Sequence, residues 1–94
     1  MRVYLAGPMR GHPNLNFPAF FEAAELLRIK GHVVFNPAEN CAPDDDIRTC
    51  LAIDTAWICN SAEAIALLPG WENSKGAKAE LALSEAIGHK VIYL

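Results

Sequence analysis

Four short apolar runs, each stopped by residues that break regular structure, constrain this chain more than anything else in it. Val3 to Ala6 stops at Gly7-Pro8. His32 to Phe35 stops at Asn36-Pro37, Ala62 to Leu68 stops at Pro69-Gly70, and Val91 to Leu94 closes the sequence. Runs of this length bounded by turn residues read as buried strands. The segments between them carry helical spacing. Leu15 to Lys30 places Phe20, Ala23, Ala24 and Leu27 on one face, with Asn16 as a candidate cap, Pro18 in the first turn and Gly31 at the end. A polar stretch, Ala38 to Pro43, precedes a second helix from about Asp45 to Cys59. The third helix runs from Lys75 to Ile87 and is capped by Gly88. Strands that are apolar on both faces and alternate with helices predict a parallel sheet covered by helices. The expected fold is therefore α/β: a Rossmann-like (flavodoxin-like) three-layer sandwich with a parallel sheet of about four strands. With 94 residues, the chain is expected to form one domain, residues 1–94.

Composition narrows the function classes. The formal net charge is −3 and no Lys/Arg run occurs, which argues against a nucleic-acid polymer as partner. No apolar run approaches the ~20 residues that span a bilayer, and the opening Met1-Arg2-Val3-Tyr4-Leu5 has no apolar signal stretch. A cytoplasmic protein is the expectation. Its three cysteines, Cys41, Cys50 and Cys59, are an odd count without a small-disulfide framework, which fits a reducing compartment. Their even spacing lacks the close pair of a metal site, and His12, His32 and His89 are scattered, so no metal is expected. Asp44-Asp45-Asp46 reads as a helix N-terminus rather than a calcium loop. Hydrophobic residues make up 52% of a chain that is short for burying them, so a homodimer or higher homo-oligomer is expected.

In open α/β sheets ligands bind beyond the carboxyl ends of the strands. Two loops lie there. Gly7-Pro8-Met9-Arg10-Gly11 has two glycines that permit close backbone approach, and an arginine whose fork suits a phosphate. An ordinary turn with a solvated arginine is the alternative. The loop is not a GxGxxG fingerprint, so no dinucleotide cofactor is expected. The second loop ends in Ser74-Lys75-Gly76 at a helix start, where free N–H groups attract anions. Ser74 would either donate to such an anion or simply cap the helix.

Two acids stand where acids are costly. Ile47, Leu51, Asp54 and Ile58 step by four, three and four along one helix face. Gly76, Glu80, Leu83 and Ile87 repeat the pattern. A carboxyl group aimed at a core is expensive unless it is paired or used. For each acid, the plain alternative is a boundary residue whose head reaches water.

The run Tyr4-Leu5-Ala6-Gly7-Pro8-Met9-Arg10-Gly11 resembles the first strand and loop of the nucleoside 2-deoxyribosyltransferase superfamily. Its deoxynucleoside 5′-monophosphate N-glycosidase branch is the most similar. Asp54 to Trp57, the third strand and Ser74-Lys75-Gly76-Ala77-Lys78-Ala79-Glu80-Leu81 follow in the same order, so the resemblance spans essentially the whole chain. Taken whole, the chain is similar to short phage and bacterial members. The resemblance implies that Glu80 is a nucleophile toward the anomeric carbon of a nucleotide or nucleoside, displacing the base. It implies that Asp54 orients the sugar or protonates the base, and that Tyr4 lies beside sugar and glutamate. Gly7, Pro8, Met9, Arg10, Gly11, Ser74 and Gly76 would surround the sugar and 5′ group. A serine at position 74, where the transferase branch has aspartate, points to a 5′-monophosphate. Lys78 departs from the family's second glycine. Fuller members continue past the fourth strand, and a neighbouring subunit completes their site. A nucleotide-binding protein without turnover, acting as sensor or sequestering agent, is the alternative function. A structural protein that kept only the fold, with both acids in ordinary salt bridges, is a third.

Overall fold

The computed structural model describes residues 1–42 and 44–94. Its strands are β1 (Arg2–Ala6), β2 (Val33–Phe35), β3 (Ala64–Leu67) and β4 (Lys90–Tyr93). The helices are α1 (Phe17–Ile29), α2 (Pro37–Asn40), α3 (Ile47–Asn60) and α4 (Lys75–Ile87). All strand pairs are parallel and the sheet order is β2-β1-β3-β4. This is the α/β architecture that the alternation of apolar runs and helical spacing leads to.

Strand periodicity divides the core in two. Val3, Leu5, Ala64 and Ala66 point to one face and pack with Phe20, Ala24 and Leu27 of α1. Tyr4, Ala6, Ile65 and Leu67 point to the other, where they meet Ile58 of α3 and Ala77 and Leu81 of α4. Each strand side chain at the sheet centre is thus covered whichever way it points, and the β1 and β3 side chains facing these layers are at most 1% exposed. No helix is long and apolar enough to cross a membrane among the described residues.

The helix ends follow local chemistry. Asp46 caps α3, accepting from the Thr49 amide at 2.7 Å. Gly88, at φ +99°, ends α4 in the left-handed conformation glycine adopts readily. Around α1 the sequence reading needs correction. The helix starts at Phe17, not Leu15, because Asn14, Leu15 and Asn16 all have φ between 52° and 60°. Asn16 does not cap it; its Nδ2 donates to the Pro8 carbonyl at 2.9 Å, tying the helix entrance to the loop after β1. The polar stretch after β2 also contains the short helix α2, capped by Asn36, while Pro43 lies outside the described residues.

The cysteine reading is corrected as well. Cys41, at the end of α2, and Cys50, in α3, are joined by a disulfide, with Cα atoms 5.8 Å apart. That separation is normal for a disulfide. Cys59 is free and exposed.

Gly7 is required by packing. A Cβ built there would lie 2.7 Å from the Cβ of buried Leu68, the residue following β3. The ends of two central strands can therefore run close only without a side chain at this position. Gly7→Ala is expected to lower stability by about 1–3 kcal/mol, the usual cost of overpacking, measured as a shifted urea midpoint at unchanged slope.

Candidate functional site

A cavity of about 500 Å³ opens at the carboxyl end of the sheet. The loops after β1 and β3 both line it, together with the α2–α3 connection. Every residue singled out from the sequence is on its wall: Tyr4, Gly7, Pro8, Met9, Arg10, Gly11, Asp54, Ser74, Gly76 and Glu80.

Tyr4 is the reason the cavity has a polar floor. It occupies the central strand, is fully buried, and points toward α3 and α4. A buried phenol needs a partner, and the Tyr4 hydroxyl donates to Glu80 Oε2 at 2.7 Å. Its ring stacks on Phe35 with centroids 5.6 Å apart, and Phe35 in turn meets Trp57 at 5.1 Å. This aromatic row fills the space between β1, β2 and α3 and limits where the phenol can point.

Both acids are 6% exposed. On α3, the sequence stripe runs down the cavity wall through Ile47, exposed at the rim, half-buried Leu51 and buried Asp54, and ends in the core at Ile58. On α4 the stripe is shifted from the sequence reading. The buried face is Ala77, Glu80, Leu81 and Ser84, whereas Ile87 is exposed and Leu83 half-buried. Glu80 belongs to both descriptions, so the offset leaves its inward placement unchanged.

Among the described residues neither acid has a cationic partner. The ion pairs among the described residues are Arg2–Glu63 and Arg28–Glu39, both on the outside. Desolvation therefore dominates the titration of the two inward acids. Burial pushes Glu80 up to about 8, the Tyr4 hydrogen bond offsets part of this, and the Asp54 charge adds to it. Burial likewise pushes Asp54 to about 6, with the Tyr4 hydroxyl opposing. Asp54 Oδ1 is buried without a hydrogen-bond partner, an acceptor left over for something that enters the cavity. The Tyr4 phenol is raised well above its usual range, first by burial and then by the Glu80 and Asp54 charges.

The rest of the wall is divided in character. Ser74 caps α4, its Oγ accepting from the Ala77 amide at 3.1 Å. The hydroxyl proton is not used in that bond, so capping and donation to an anion are compatible. A Cβ on Gly76 would meet only Ser74 Oγ, at 4.0 Å, so its glycine is not demanded by packing. Arg10 and Gly11 are exposed at the rim. Leu15, Phe17, Phe20, Ile47 and Leu51 supply apolar surface to the same cavity. Sequence reasoning missed Leu15, whose left-handed conformation carries no glycine signal, and the Cys41–Cys50 pair. Cys41, Asp45 and Cys50 place their ligand-type atoms within 4.8 Å of one another, a cluster that their sequence spacing does not suggest.

The titration of Glu80 has a consequence for stability. Its folded value, about 8, exceeds the ordinary carboxylate value of 4.5. The native state then holds a proton that the unfolded chain has released, and stability falls as pH rises from about 4.5 through about 8. Glu80→Gln removes this dependence. Relative to the parent, the variant is expected to gain about 3–5 kcal/mol between pH 4.5 and pH 9, read from urea unfolding at each pH. A difference that is constant across that range would contradict the placement of Glu80.

The chain belongs to the family described as Domain of unknown function (DUF4406), which matches residues 1–93. No curated protein matches it.

Proposed function

From two buried carboxyl groups on the floor of a cavity, neither of them in an ion pair, we propose that this protein is an N-glycosidase or 2-deoxyribosyltransferase-like enzyme. Its substrate is a nucleoside 5′-monophosphate. The single observation that carries this reading is the buried Tyr4–Glu80 hydrogen bond with Asp54 beside it. Between about pH 6 and pH 8 the pair holds one proton, which rests mainly on Glu80, and the reactive form is the minority one in which Asp54 carries that proton and Glu80 is the anion.

In the first step a Glu80 carboxylate oxygen attacks the anomeric carbon. The bond from that carbon to the base nitrogen breaks, and its electron pair leaves with the base. Asp54, protonated, gives its proton to the departing base. The product is a glycosyl ester on Glu80. Water, deprotonated by the Asp54 carboxylate, then attacks the same carbon and releases free sugar phosphate and Glu80. A second base in place of water gives transfer instead of hydrolysis. This is the two-carboxylate chemistry of retaining glycosidases applied to an N-glycoside. The Tyr4 hydroxyl stabilises the Glu80 anion by donating to it, and it keeps that carboxyl from rotating away.

The polar side of the cavity supports a phosphate. α4 has 13 residues and begins at Ser74-Lys75-Gly76 on the cavity wall, so its free N–H groups face the space beyond the sugar. Gly76 leaves that approach open, and Arg10 at the rim supplies a planar fork. The apolar side, Leu15, Phe17, Ile47 and Leu51, suits the face of a base.

Purified protein incubated with a panel of nucleosides and nucleoside 5′-monophosphates is expected to release free base, followed by chromatography. Release from a monophosphate should depend on pH as a bell with limbs near 6 and 8, values that belong to the acid pair as a whole. Glu80→Gln should lower kcat by at least ~1000-fold and Asp54→Asn by about 100-fold, within the range for nucleophile and general-acid removal. No release from any substrate, or undiminished release by Glu80→Gln, would sink the assignment. Gly76→Ala tests the phosphate site separately. Alanine favours the helix by up to ~1 kcal/mol, so the variant should be at least as stable as the parent. Its KM for the monophosphate should rise about tenfold, against little change for the nucleoside.

A further inference from the structure

The mechanism above makes no use of Cys41 and Cys50, yet both line the cavity. We propose that they form a thiol–disulfide exchange site whose oxidation state sets the rigidity of the α2–α3 wall, with a low-molecular-weight disulfide as the reacting partner.

Three observations carry this. The two residues bracket the connection between α2 and α3, and their Cα atoms are 5.8 Å apart, within the span of a disulfide. Both cysteines are half-buried, reachable from solvent through the cavity mouth. The ring that the bond closes carries cavity-lining residues of its own, Ala42, Asp45 and Ile47. In that connection Asp45 is held to Ala42 by two hydrogen bonds, Ala42 N to Asp45 Oδ2 at 2.9 Å and Asp45 N to Ala42 O at 3.0 Å. Asp46 then caps α3. Among the described residues these hydrogen bonds are local, and the disulfide reaches from the end of α2 across the connection to α3.

Cys41 stands at the end of α2 and Cys50 in the first turns of α3, with the Asp45 carboxylate within 4.8 Å of both sulfurs. In the reduced protein the thiolate of one of them, Cys50 for instance, attacks a sulfur of the small disulfide. That S–S bond breaks, a mixed disulfide forms on Cys50, and one small thiolate leaves. Cys41 loses its proton and attacks the Cys50 sulfur, forming the protein disulfide and expelling the second thiolate. Two electrons pass from the cysteine pair to the small disulfide, which becomes two thiols. Cys59, exposed and outside the cavity lining, takes no part.

The experiment equilibrates the full chain in glutathione buffers from fully reduced to fully oxidised. Peptide mapping is expected to show an intramolecular Cys41–Cys50 link, with a mass loss of about 2 Da that Cys59→Ser retains and Cys41→Ser or Cys50→Ser abolishes. Hydrogen exchange of the amides of Ala42, Asp45 and Leu51 should slow at least tenfold on oxidation, with the exchange of β1 and β3 unchanged. Three results would overturn the proposal. One is that Cys41 and Cys50 never link to each other. Another is exchange of the wall that stays within twofold in the two states. The third is a reduced protein that carries one equivalent of zinc on these residues and oxidises only after chelation, which would make the cluster with Asp45 a metal site instead. If the serine variants do not fold, the parent's redox-dependent exchange still decides.

Discussion

A phenol in the middle of a parallel sheet has to find an acceptor, and the Tyr4–Glu80 hydrogen bond is how this fold meets that requirement. Tyr4 sits on β1, which pairs with β2 on one side and β3 on the other, so water does not reach it. Its acceptor must come from the helices packed on that face. Glu80 supplies it from α4, 76 residues further along the chain. The bond therefore fixes the rotation of α4 on the sheet: turning the helix to bury Leu83 or Ile87 instead would withdraw the carboxyl from the phenol. Ala77 on the same face leaves room for the tyrosine, and the small side chain lets the helix lie close. The Phe35 and Trp57 rings occupy the neighbouring space, and α3 consequently brings Asp54 to the same floor.

Such an arrangement is costly to a chain this small. Two buried carboxyls without a cation each oppose folding once they ionise. A structural role would be served better by apolar residues or by ion pairs like those of Arg2–Glu63 and Arg28–Glu39 on the outside. The compensation comes from the strands, whose side chains at the sheet centre are covered on both faces. Several local departures from good folding practice lie at the cavity: the two acids, the unpaired Asp54 Oδ1, and three consecutive left-handed residues that put Leu15 on its wall, while the other buried unpaired atoms, on Asn36, Ser84 and His89, lie outside its lining. Buried acids and backbone strain side by side at a cavity are the kind of cost that functional sites carry.

The layered fold was legible because its signals are local and repeated. Each apolar run ends at Gly, Pro or Asn, and the period changes from strand to helix between runs. The two acids were legible for the same reason, since a four-three-four step places Asp54 and Glu80 among apolar neighbours. The face of α4 was read one position off because Leu83 and Ile87 looked like core, whereas the space over β1 and β3 takes small residues, Ala77 and Ser84. Leu15 and Asn16 read as a helix start because nothing in Asn-Leu-Asn signals three left-handed residues in succession; Asn16 is held instead by its bond to Pro8. The Cys41–Cys50 contact was missed because it depends on how α2 turns into α3. Counting cysteines says nothing about that turn.

Why the cavity sits where it does follows from the sheet order alone. From β1 the chain crosses to β2 through α1, on one face; from β3 it crosses to β4 through α4, on the other. β1 and β3 are adjacent, so the loops leaving their carboxyl ends diverge to opposite faces and leave a crevice between them. Gly7 lets the two strand ends run together up to that point, against Leu68, before the chains separate. Side chains on the α3 and α4 face of β1 then look into the bottom of the crevice, and Tyr4 is one of them. Topology thus supplies a cavity to any sequence with this strand order. What distinguishes this one is that the residues at the bottom are a phenol and two carboxyls, where hydrophobic side chains would have made a more stable protein.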